Sequence, residues 1–434
     1  MIETKFKNTE IGRVPLDWGL EKLLKNFEFK ANNTLSRDAL SKSGKIQNIH
    51  YGDVLVKYGS HLDVQKESIP FISDERYKTS NYLSDGDVII ADTAEDETVG
   101  KATEVLNIGN NKLVSGLHTM WLHPINPERY ALGFLGYAFN ANIYHNQLLP
   151  LIQGTKVSSI SKSAIKNTFI LLPPKNEQRK ITQSLSYIDN LISELGKLID
   201  KKKAIKLGAI QKLITGKIRL DDFKNNKGYK QSAIGEIPVD WELKPVSNVA
   251  ENYTGLTYTP NDVSDYGTLV LRSSNIQDSR LAFDDNVFVN MEIPKRAIAR
   301  KDDILICVRN GSSDLIGKCA YITPDADGMA FGAFMTVLRA TNIDSKYLFY
   351  VWQDVNTQKQ IHETFGATIN QITSKDFKRI LIAIPSDPNE QSAIALSLSS
   401  MDKEISSLVE KREKYIAIKQ GMMQQLLTGK IRLL

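Results

Sequence analysis

Residues 11–18 read Ile-Gly-Arg-Val-Pro-Leu-Asp-Trp, and residues 234–241 read Ile-Gly-Glu-Ile-Pro-Val-Asp-Trp. A second match joins residues 213–220, Leu-Ile-Thr-Gly-Lys-Ile-Arg-Leu, to residues 426–433, Leu-Leu-Thr-Gly-Lys-Ile-Arg-Leu. Shorter matches lie between them in the same order: 87–90 with 303–306, 100–101 with 317–318, and 154–155 with 366–367. Repeated motifs in a fixed order predict one structural unit that occurs twice.

Each repeat is predicted to end in a long helix. Apolar residues recur at steps of three and four, as in a coiled-coil seam, at Ile181, Leu185, Ile188, Ile192, Leu195 and Ile199, and again at Ile394, Leu398, Met401, Ile405 and Leu408. In the first helix this register then meets Lys202 and Lys206, so the seam is expected to drift onto Ile205, Ala209 and Leu213. The second seam is expected to continue through Tyr415, Ile418, Met422 and Leu426.

The remainder of each repeat has the pattern of short strands, loops and a few helices. Strands are predicted at residues 46–56, 87–92 and 114–122 and at their counterparts 269–272, 303–309 and 333–339, with helical text at 130–148 and 347–365. We therefore predict an α+β fold of two pseudo-symmetric globular domains. The predicted bounds are 1–175 and 232–388 for the domains, 176–216 and 389–429 for the helices, and 217–231 for the linker. Because each helix needs a cover for its seam, an antiparallel two-helix coiled coil is expected to separate the domains.

Composition excludes some classes of protein. The net charge of +5 is a weak indication of an anionic partner, and the two helical segments 177–219 and 390–432 carry more than all of it, so nucleic-acid binding cannot be argued from bulk charge. Cys307 and Cys319 are too few for a disulfide framework and are expected to be reduced packing residues. No stretch approaches ~18 consecutive apolar residues, and residues 1–10 are polar, so a cytoplasmic protein without membrane contact is expected.

The repeated motifs resemble those of a known family. The Ile-Pro-x-Asp-Trp opening, the Glu-Gln pair after prolines at each helix start (177–178 and 390–391) and the Thr-Gly-Lys-Ile-Arg-Leu exit are similar to the specificity subunit of type I restriction-modification systems, over the whole chain. The resemblance implies two target-recognition domains, each reading one half of a split, asymmetric site in double-stranded DNA. It also implies that the helices set the spacing and dock two methyltransferase subunits, which use S-adenosylmethionine. A motor-nuclease subunit joins for cleavage, and this chain itself holds no cofactor.

The family does not fix the residues that contact bases, so candidates come from residue chemistry and position. They are Gln47, Asn48, Lys57, Tyr58, Lys78 and Lys101, then Thr155 and Lys156 after Gly154, and in the second repeat Arg272, Ser274, Asn275, Arg309, Asn310, Lys318 and Thr368. Each has a structural alternative. Asn48 and Asn275 are equally suited to close the turn after a strand, the lysines to be solvated loop charges, and the residues beside glycines to form turns.

No catalytic or metal motif is found in the sequence. Residues 126–129, Asn-Pro-Glu-Arg, only partly match the Asn-Pro-Pro-Tyr motif of amino-methyl transfer, and residues 310–314 lack the ending of a phosphate-binding Walker loop. His118 and His123 are expected on opposite faces of a strand, which argues against a shared metal. Two alternatives are considered: a coiled-coil adaptor whose heads bind proteins, which would explain the repeat but not the family motifs, and an enzyme site hidden in the mixed domains, which the missing motifs disfavour.

Overall fold

The computed structural model describes residues 5–74, 77–154, 156–224, 228–364 and 371–434. The chain divides into two compact units: unit 1 comprises residues 1–196 and 411–434, and unit 2 comprises residues 197–410. Each unit holds one mixed domain together with parts of both long helices. The long helices are thus shared between the units rather than forming segments of their own. Among the described residues, no helix combines the length and apolarity needed to cross a membrane.

The first domain contains fifteen described strands and precedes the first long helix. The strands are β1 Phe6–Thr9, β2 Gly12–Pro15, β3 Gly19–Lys22, β4 Phe27–Lys30, β5 Leu40–Ser41, β6 Gln47–Ile49, β7 His61–Asp63, β8 Phe71–Ile72, β9 Val88–Ala91, β10 Thr93–Ala94, β11 Ala102–Leu106, β12 Leu113–Ser115, β13 Thr119–Pro124, β14 Ser158–Ser159 and β15 Phe169–Leu172. The helices are α1 Leu23–Asn26, α2 Tyr51–Val56, α3 Phe134–Phe139, α4 Asn142–Leu148, α5 Lys162–Lys166 and the long α6 Lys175–Ile214.

The second domain repeats this order with fewer elements in its described part. Its strands are β16 Tyr229–Ser232, β17 Gly235–Pro238, β18 Trp241–Pro245, β19 Ala250–Thr254, β20 Val263–Ser264, β21 Thr268–Leu271, β22 Ile276–Gln277, β23 Arg280–Leu281, β24 Phe288–Val289, β25 Ile304–Cys307, β26 Cys319–Tyr321, β27 Ala330–Phe331, β28 Met335–Ala340 and β29 Leu381–Pro385. Its helices are α7 Ser345–Gln353, α8 Val355–Glu363 and the long α9 Pro388–Leu426.

The two domains share the order of their sheet strands, except that the main sheet of the first domain has an additional edge strand, β7. The largest sheet has the strand order β4-β13-β9-β11-β7 in the first domain and β19-β28-β25-β26 in the second. A second sheet has the orders β12-β6-β8-β5 and β20-β24-β21-β27, with a parallel pair in each, β6 with β12 and β21 with β27. β9 and β25 are buried over their whole length, which their continuous apolar sequences explain. The sequence repeat is therefore a repeat of architecture.

Several predicted elements are interrupted by polar side chains that serve the backbone. The strand predicted at 46–56 ends at Ile49, because the His50 side chain accepts a hydrogen bond from the Gly52 amide at 3.2 Å and caps α2. The strand predicted at 114–122 is split by a turn in which His118 has a φ of +53°. The helix predicted at 347–365 is likewise two helices, because the Asp354 side chain caps α8 by accepting from the Asn356 amide.

The repeated motifs meet in one buried ion-pair cluster per unit, here called the clamp. In unit 1 the Arg432 guanidinium donates to Glu177 at 2.7 and 2.8 Å and to Asp17 at 2.9 and 2.7 Å. The Trp18 indole N–H also donates to Glu177, at 3.0 Å. The Glu177 side chain is only 2% exposed, so each of its oxygens depends on these donors. The clamp joins the opening motif of the first repeat, the start of α6 and the segment after α9.

Unit 2 contains the equivalent clamp. Arg219, which follows α6, donates to Glu390 at 2.8 and 2.6 Å and to Asp240 at 3.1 and 3.0 Å, and Trp241 donates to Glu390 at 3.2 Å. The glycine after each long helix, Gly216 or Gly429, has a φ of +68° and packs against the proline and tryptophan of the opening motif in the same unit. A Cβ on Gly216 would lie 2.4 Å from the Pro238 ring, so glycine is required here for both conformation and space. In each unit, the exit motif of one repeat is thus packed on the opening motif of the other.

The helix segments within each unit run antiparallel. In unit 2, Lys202 pairs with Glu404 at 2.6 Å and Lys206 pairs with Asp402 at 2.7 Å, so numbers rise along one helix as they fall along the other. The predicted drift of the first seam is wrong at Ile205, which is 47% exposed. The original register continues instead through Lys206, whose long apolar stem packs while its ammonium group reaches Asp402.

Unit 1 repeats this arrangement with the roles of the helices exchanged. Lys419 of α9 pairs with Asp189 of α6 at 2.6 Å, whereas Ile418, predicted to lie in the seam, is 40% exposed. In both units a tyrosine from the domain donates to the aspartate at 2.7 Å: Tyr137 to Asp189 and Tyr350 to Asp402. This Lys-Asp-Tyr cluster fixes the helix pair and attaches the domain to it.

A buried carboxyl distinguishes the first domain. Glu104 of β11 is 1% exposed, and its two oxygens accept from the Gly133 and Gly136 amides at 2.7 Å each, at the start of α3. Burial raises the pKa of Glu104 to about 7 from its ordinary 4.5, although the amide hydrogen bonds oppose this shift. The folded chain consequently binds this proton more tightly than the unfolded chain does.

We expect Glu104 to make the stability of unit 1 depend on pH. Since the folded pKa is raised, its contribution is fully present below about pH 4.5 and is lost as the pH rises through 7, by about 3 kcal/mol in total. Hydrogen exchange of the peptides of unit 1 between pH 5 and 8 measures this dependence. Glu104→Gln should remove that part of the slope, whatever its effect on absolute stability, and an identical slope in the variant would contradict the assignment.

Candidate nucleic-acid interface

Polar residues gather in the second domain where β21 and β25 end. Arg272 to Ser274 follow β21, Arg309 and Asn310 follow β25, and the Asn310 amide donates to the Ser273 hydroxyl at 3.2 Å. The turn between β27 and β28 completes the site, because the Gly332 amide donates to Leu271 and the Phe334 carbonyl accepts from Val308. We call this group strand-end surface 2; it comprises Arg272, Ser273, Ser274, Arg309, Asn310 and Phe334.

Arg309 and Phe334 form the exposed part of this surface. The Arg309 guanidinium lies 5.2 Å from the centroid of the Phe334 ring, which is a cation-π contact, and the Phe334 side chain is 55% exposed. Among the described residues, no carboxylate lies within ion-pair distance of Arg309. Arg272, in contrast, pairs with Asp285 at 2.8 Å. The surface therefore presents a guanidinium that is held in place but has its donors available.

The same backbone positions form strand-end surface 1 in the first domain. The Gly116 amide donates to the Ile49 carbonyl, which corresponds to the bond from Gly332 to Leu271 in the second domain. The Asp92 amide donates to the His118 carbonyl, which corresponds to the bond from Val308 to Phe334. These matches equate His50 with Arg272, Thr93 with Arg309 and His118 with Phe334. Strand-end surface 1 accordingly comprises His50, Tyr51, Asp92, Thr93 and His118.

The side chains of strand-end surface 1 are chemically different from those of surface 2. The Thr93 hydroxyl donates to Asp92 at 2.8 Å, and the His118 ring lies 3.3 Å from the same carboxylate. Tyr51 packs edge-on against His118 with a centroid distance of 5.4 Å. His50 is only 7% exposed and lies beneath the accessible groups of this surface, and burial lowers its pKa, which favours its neutral form. This surface offers a carboxylate and neutral hydrogen-bonding groups where surface 2 offers a guanidinium.

A glycine loop borders strand-end surface 1. In the first domain β10, which starts at Thr93, pairs with β14, and the loop before β14 begins at Gly154 with a φ of +100°. Lys156 in this loop is exposed, while Thr155 lies outside the described residues. In the second domain Gln371 forms a β-bridge with Arg309, and the matching candidate Thr368 also lies outside the described residues.

Two of the predicted contact residues are buried and serve the fold. Asn275 is fully buried: its side chain accepts from the Arg272 amide at 2.9 Å and donates to the Ala282 carbonyl. Asn48 is also fully buried and accepts from Asn33 at 2.7 Å. Of the two alternatives, the turn-closing role therefore describes Asn275, and Asn48 is an interior strand residue. The register of the strands also makes His50, rather than Gln47 or Asn48, the counterpart of Arg272.

The remaining candidates are dispersed. Gln47 is 8% exposed in β6, Tyr58 is 5% exposed, and Lys57 and Lys101 donate to backbone carbonyls of Ser68 and Leu55. Lys78 is an exposed loop residue, and Lys318 lines a cavity of unit 2 together with Lys206 and Asp402. The structure thus brings Arg272, Ser274, Arg309 and Asn310 together and leaves these others apart.

Sequence reasoning did not identify Tyr51, Asp92, Thr93, His118 or Phe334 as parts of a surface. Their positions follow from hydrogen bonds between segments that are far apart in the chain. Only Phe334 carried a signal, since it is a large apolar residue in a turn between two strands. Within the described ranges, no group of three or more His, Cys, Asp or Glu side chains is placed to hold a metal ion. The chemistry available at both surfaces is hydrogen bonding and stacking.

Comparison with known proteins identifies a family and several relatives that this chain resembles. The family described as the type I restriction modification DNA specificity domain matches residues 15–207 and again residues 238–417. The chain is 28% identical to a putative type I restriction enzyme specificity subunit of Methanocaldococcus jannaschii, MjaX, over 99% of this chain and 97% of that protein. It is 29% identical to the EcoKI specificity subunit of Escherichia coli K12, over 45% of this chain and 44% of that protein.

Two solved structures share the fold. One is the S subunit of a type I restriction-modification system from M. genitalium, with a TM-score of 0.53 and 15% identity, covering 94% of this chain and 96% of that one. The other comes from a study of complex assembly in the type I system, with a TM-score of 0.56 and 16% identity, covering 96% and 99%. With two copies of the family domain spanning most of its length, the chain belongs to the family of type I restriction modification DNA specificity domains.

Proposed function

We propose that this chain is the DNA-recognition subunit of a type I restriction-modification complex, in which each domain reads one half of a bipartite site. The observation that carries the proposal is the pair of strand-end surfaces, which have matching backbone hydrogen bonds and different side chains. At the accessible positions, Thr93 and His118 stand where the second domain has Arg309 and Phe334. Groups that read base edges must differ between two half-sites of different sequence, whereas a shared scaffold need not. The site is accordingly asymmetric.

The proposal includes partners that supply the chemistry. The relatives are named as subunits of type I restriction enzymes, so this chain is proposed to act in a complex. In it, two methyltransferase subunits bind S-adenosylmethionine and a motor-nuclease subunit cleaves, in the cytoplasm, while this chain supplies sequence recognition and no catalysis. The helices α6 and α9, 40 and 39 residues long, are proposed to dock such partners.

Domain exchange tests this function. Replacing residues 1–175 by the equivalent domain of a related subunit should change one half of the methylated sequence and leave the other half intact, because each half is read by one domain. The measurement is sequencing of methylated adenines in a host that carries the gene and its methyltransferase. The reciprocal exchange of residues 232–388 is the matched control and should alter the opposite half. A change in both halves after a single exchange would refute the modular assignment, and absence of any methylated bipartite sequence would favour a protein-binding adaptor.

A further inference from the structure

We infer that Arg309, held against Phe334, reads a guanine in the half-site of the second domain. This inference rests on the proposed function and specifies one residue of it. Arg309 follows the central strand β25 and lies in the exposed part of strand-end surface 2. An arginine that donates two parallel hydrogen bonds to O6 and N7 of guanine in the major groove is the commonest specific contact between proteins and DNA.

The local contacts suit Arg309 to this role better than its neighbours. Arg272 on the same surface is occupied by Asp285, and the buried Asn275 is saturated by backbone groups. Arg309 has no such acidic partner within the described part of the chain, and the ring of Phe334 restricts its guanidinium without occupying the N–H donors. A side chain that is already restricted loses less conformational entropy when it binds.

Comparison of the two repeats distinguishes a residue that reads a base from a residue that only contacts phosphate. Phosphates are the same at every base pair, so a residue that only contacts phosphate can be the same in both copies. Gly154, which begins the loop beside strand-end surface 1, has the same residue, Gly366, at the matching place in the second repeat of the sequence. Arg309 is replaced by Thr93, and Phe334 by His118, at positions with the same backbone hydrogen bonds. Threonine cannot make the paired contact to guanine, so the two copies differ where reading requires a difference.

The test uses the full chain together with its methyltransferase subunits. Sequencing of the methylated sites should show a G·C pair in the half-site that exchange of residues 232–388 alters. In Arg309→Ala, one G·C position of that half-site should become degenerate, with preference for guanine reduced on the order of ten- to hundredfold. The half-site of the first domain should remain unchanged, which reports that the variant is folded and assembled.

Lys301→Ala is the matched control. Lys301 is an exposed cation that precedes β25. Its substitution removes the same charge at the opposite end of the same strand and should leave the methylated sequence unchanged. A second half-site without a G·C pair, or an unaltered sequence in Arg309→Ala, would overturn the inference. If Arg309→Ala abolishes methylation, the purified variant complex is tested for binding to the original duplex and to duplexes in which one G·C pair of this half-site is replaced. Equal binding of the variant to the original duplex and to one substituted duplex supports base reading. Uniformly weaker binding to all the duplexes overturns it. A wild-type complex that methylates no bipartite sequence would contradict the proposed function instead.

Discussion

Glu177→Ala is expected to destabilise unit 1 by about 3–5 kcal/mol, the largest effect that we predict for a single substitution. The glutamate is 2% exposed and accepts from Arg432 and from the indole N–H of Trp18. Its removal leaves the Arg432 guanidinium, itself 9% exposed, with Asp17 as its remaining ion-pair partner, and it leaves the indole N–H without an acceptor. Unpaired buried donors cost more than the net stabilisation of the intact pair.

The repeat provides the control for this prediction. Hydrogen exchange should show lost protection in the peptides of unit 1, including the segment after α9, while unit 2 keeps its protection. Glu390→Ala should give the mirror result, because Glu390 occupies the same place in the clamp of unit 2. Glu177→Gln, which keeps the shape but loses the charge, should have an intermediate effect. Equal loss of protection in both units from Glu177→Ala would show that the clamps do not act separately.

The motifs that form the clamps were visible in the sequence, but the way in which they pack together was not. The repeat, the two long helices and their glycine ends were predictable, since the opening and exit motifs are short and nearly identical in both copies. That the exit motif of one repeat packs on the opening motif of the other was not predicted. Arg219 and Arg432 are single polar residues after helix ends, and their buried partners are distant in sequence or belong to the other repeat.

The candidate interface was less predictable for a physical reason. Strand-end surface 1 is assembled from residues near 50, 92 and 118, and their proximity depends on strand register, which apolar periodicity alone does not determine. The strand pairing makes His50 the counterpart of Arg272, whereas residue chemistry had selected its neighbours Gln47 and Asn48. In the second domain Arg309 and Asn310 were predicted because they are polar residues before Gly311, but Phe334, which contacts Arg309, was not.

The Lys-Asp-Tyr clusters show the limit of apolar periodicity most directly. A lysine in a coiled-coil seam predicts a change of register, yet Lys206 stays on the packed face, and its side chain is only 13% exposed. The reason is that Asp402 accepts from both Lys206 and Tyr350, at 2.7 Å each. Two half-buried, paired charges thus occupy a position for which the pattern expects an apolar residue. Such a pair stabilises little by itself but is costly to break on one side.

Asp402→Ala should therefore destabilise unit 2 by about 2–4 kcal/mol, because it leaves the Lys206 ammonium and the Tyr350 hydroxyl without their acceptor in a packed site. Glu404→Ala is the matched control: Glu404 pairs with Lys202 on the same two helices but is 49% exposed, so its loss should cost under about 1 kcal/mol. Hydrogen exchange of the peptides of unit 2 measures both effects.

The double variant Lys206→Met and Asp402→Leu tests whether the ion pair itself stabilises unit 2 or can be replaced by apolar residues without loss of stability. Apolar residues of similar volume suit a packed helix face, and the exchange of a buried ion pair for such residues is often neutral or stabilising. We expect the double variant to recover most of the protection lost in Asp402→Ala, with the Tyr350 hydroxyl as its remaining defect. A double variant as unstable as Asp402→Ala would mean that the charges themselves hold the helix register, and the same exchange at Lys419 and Asp189 would then be expected to destabilise unit 1 equally.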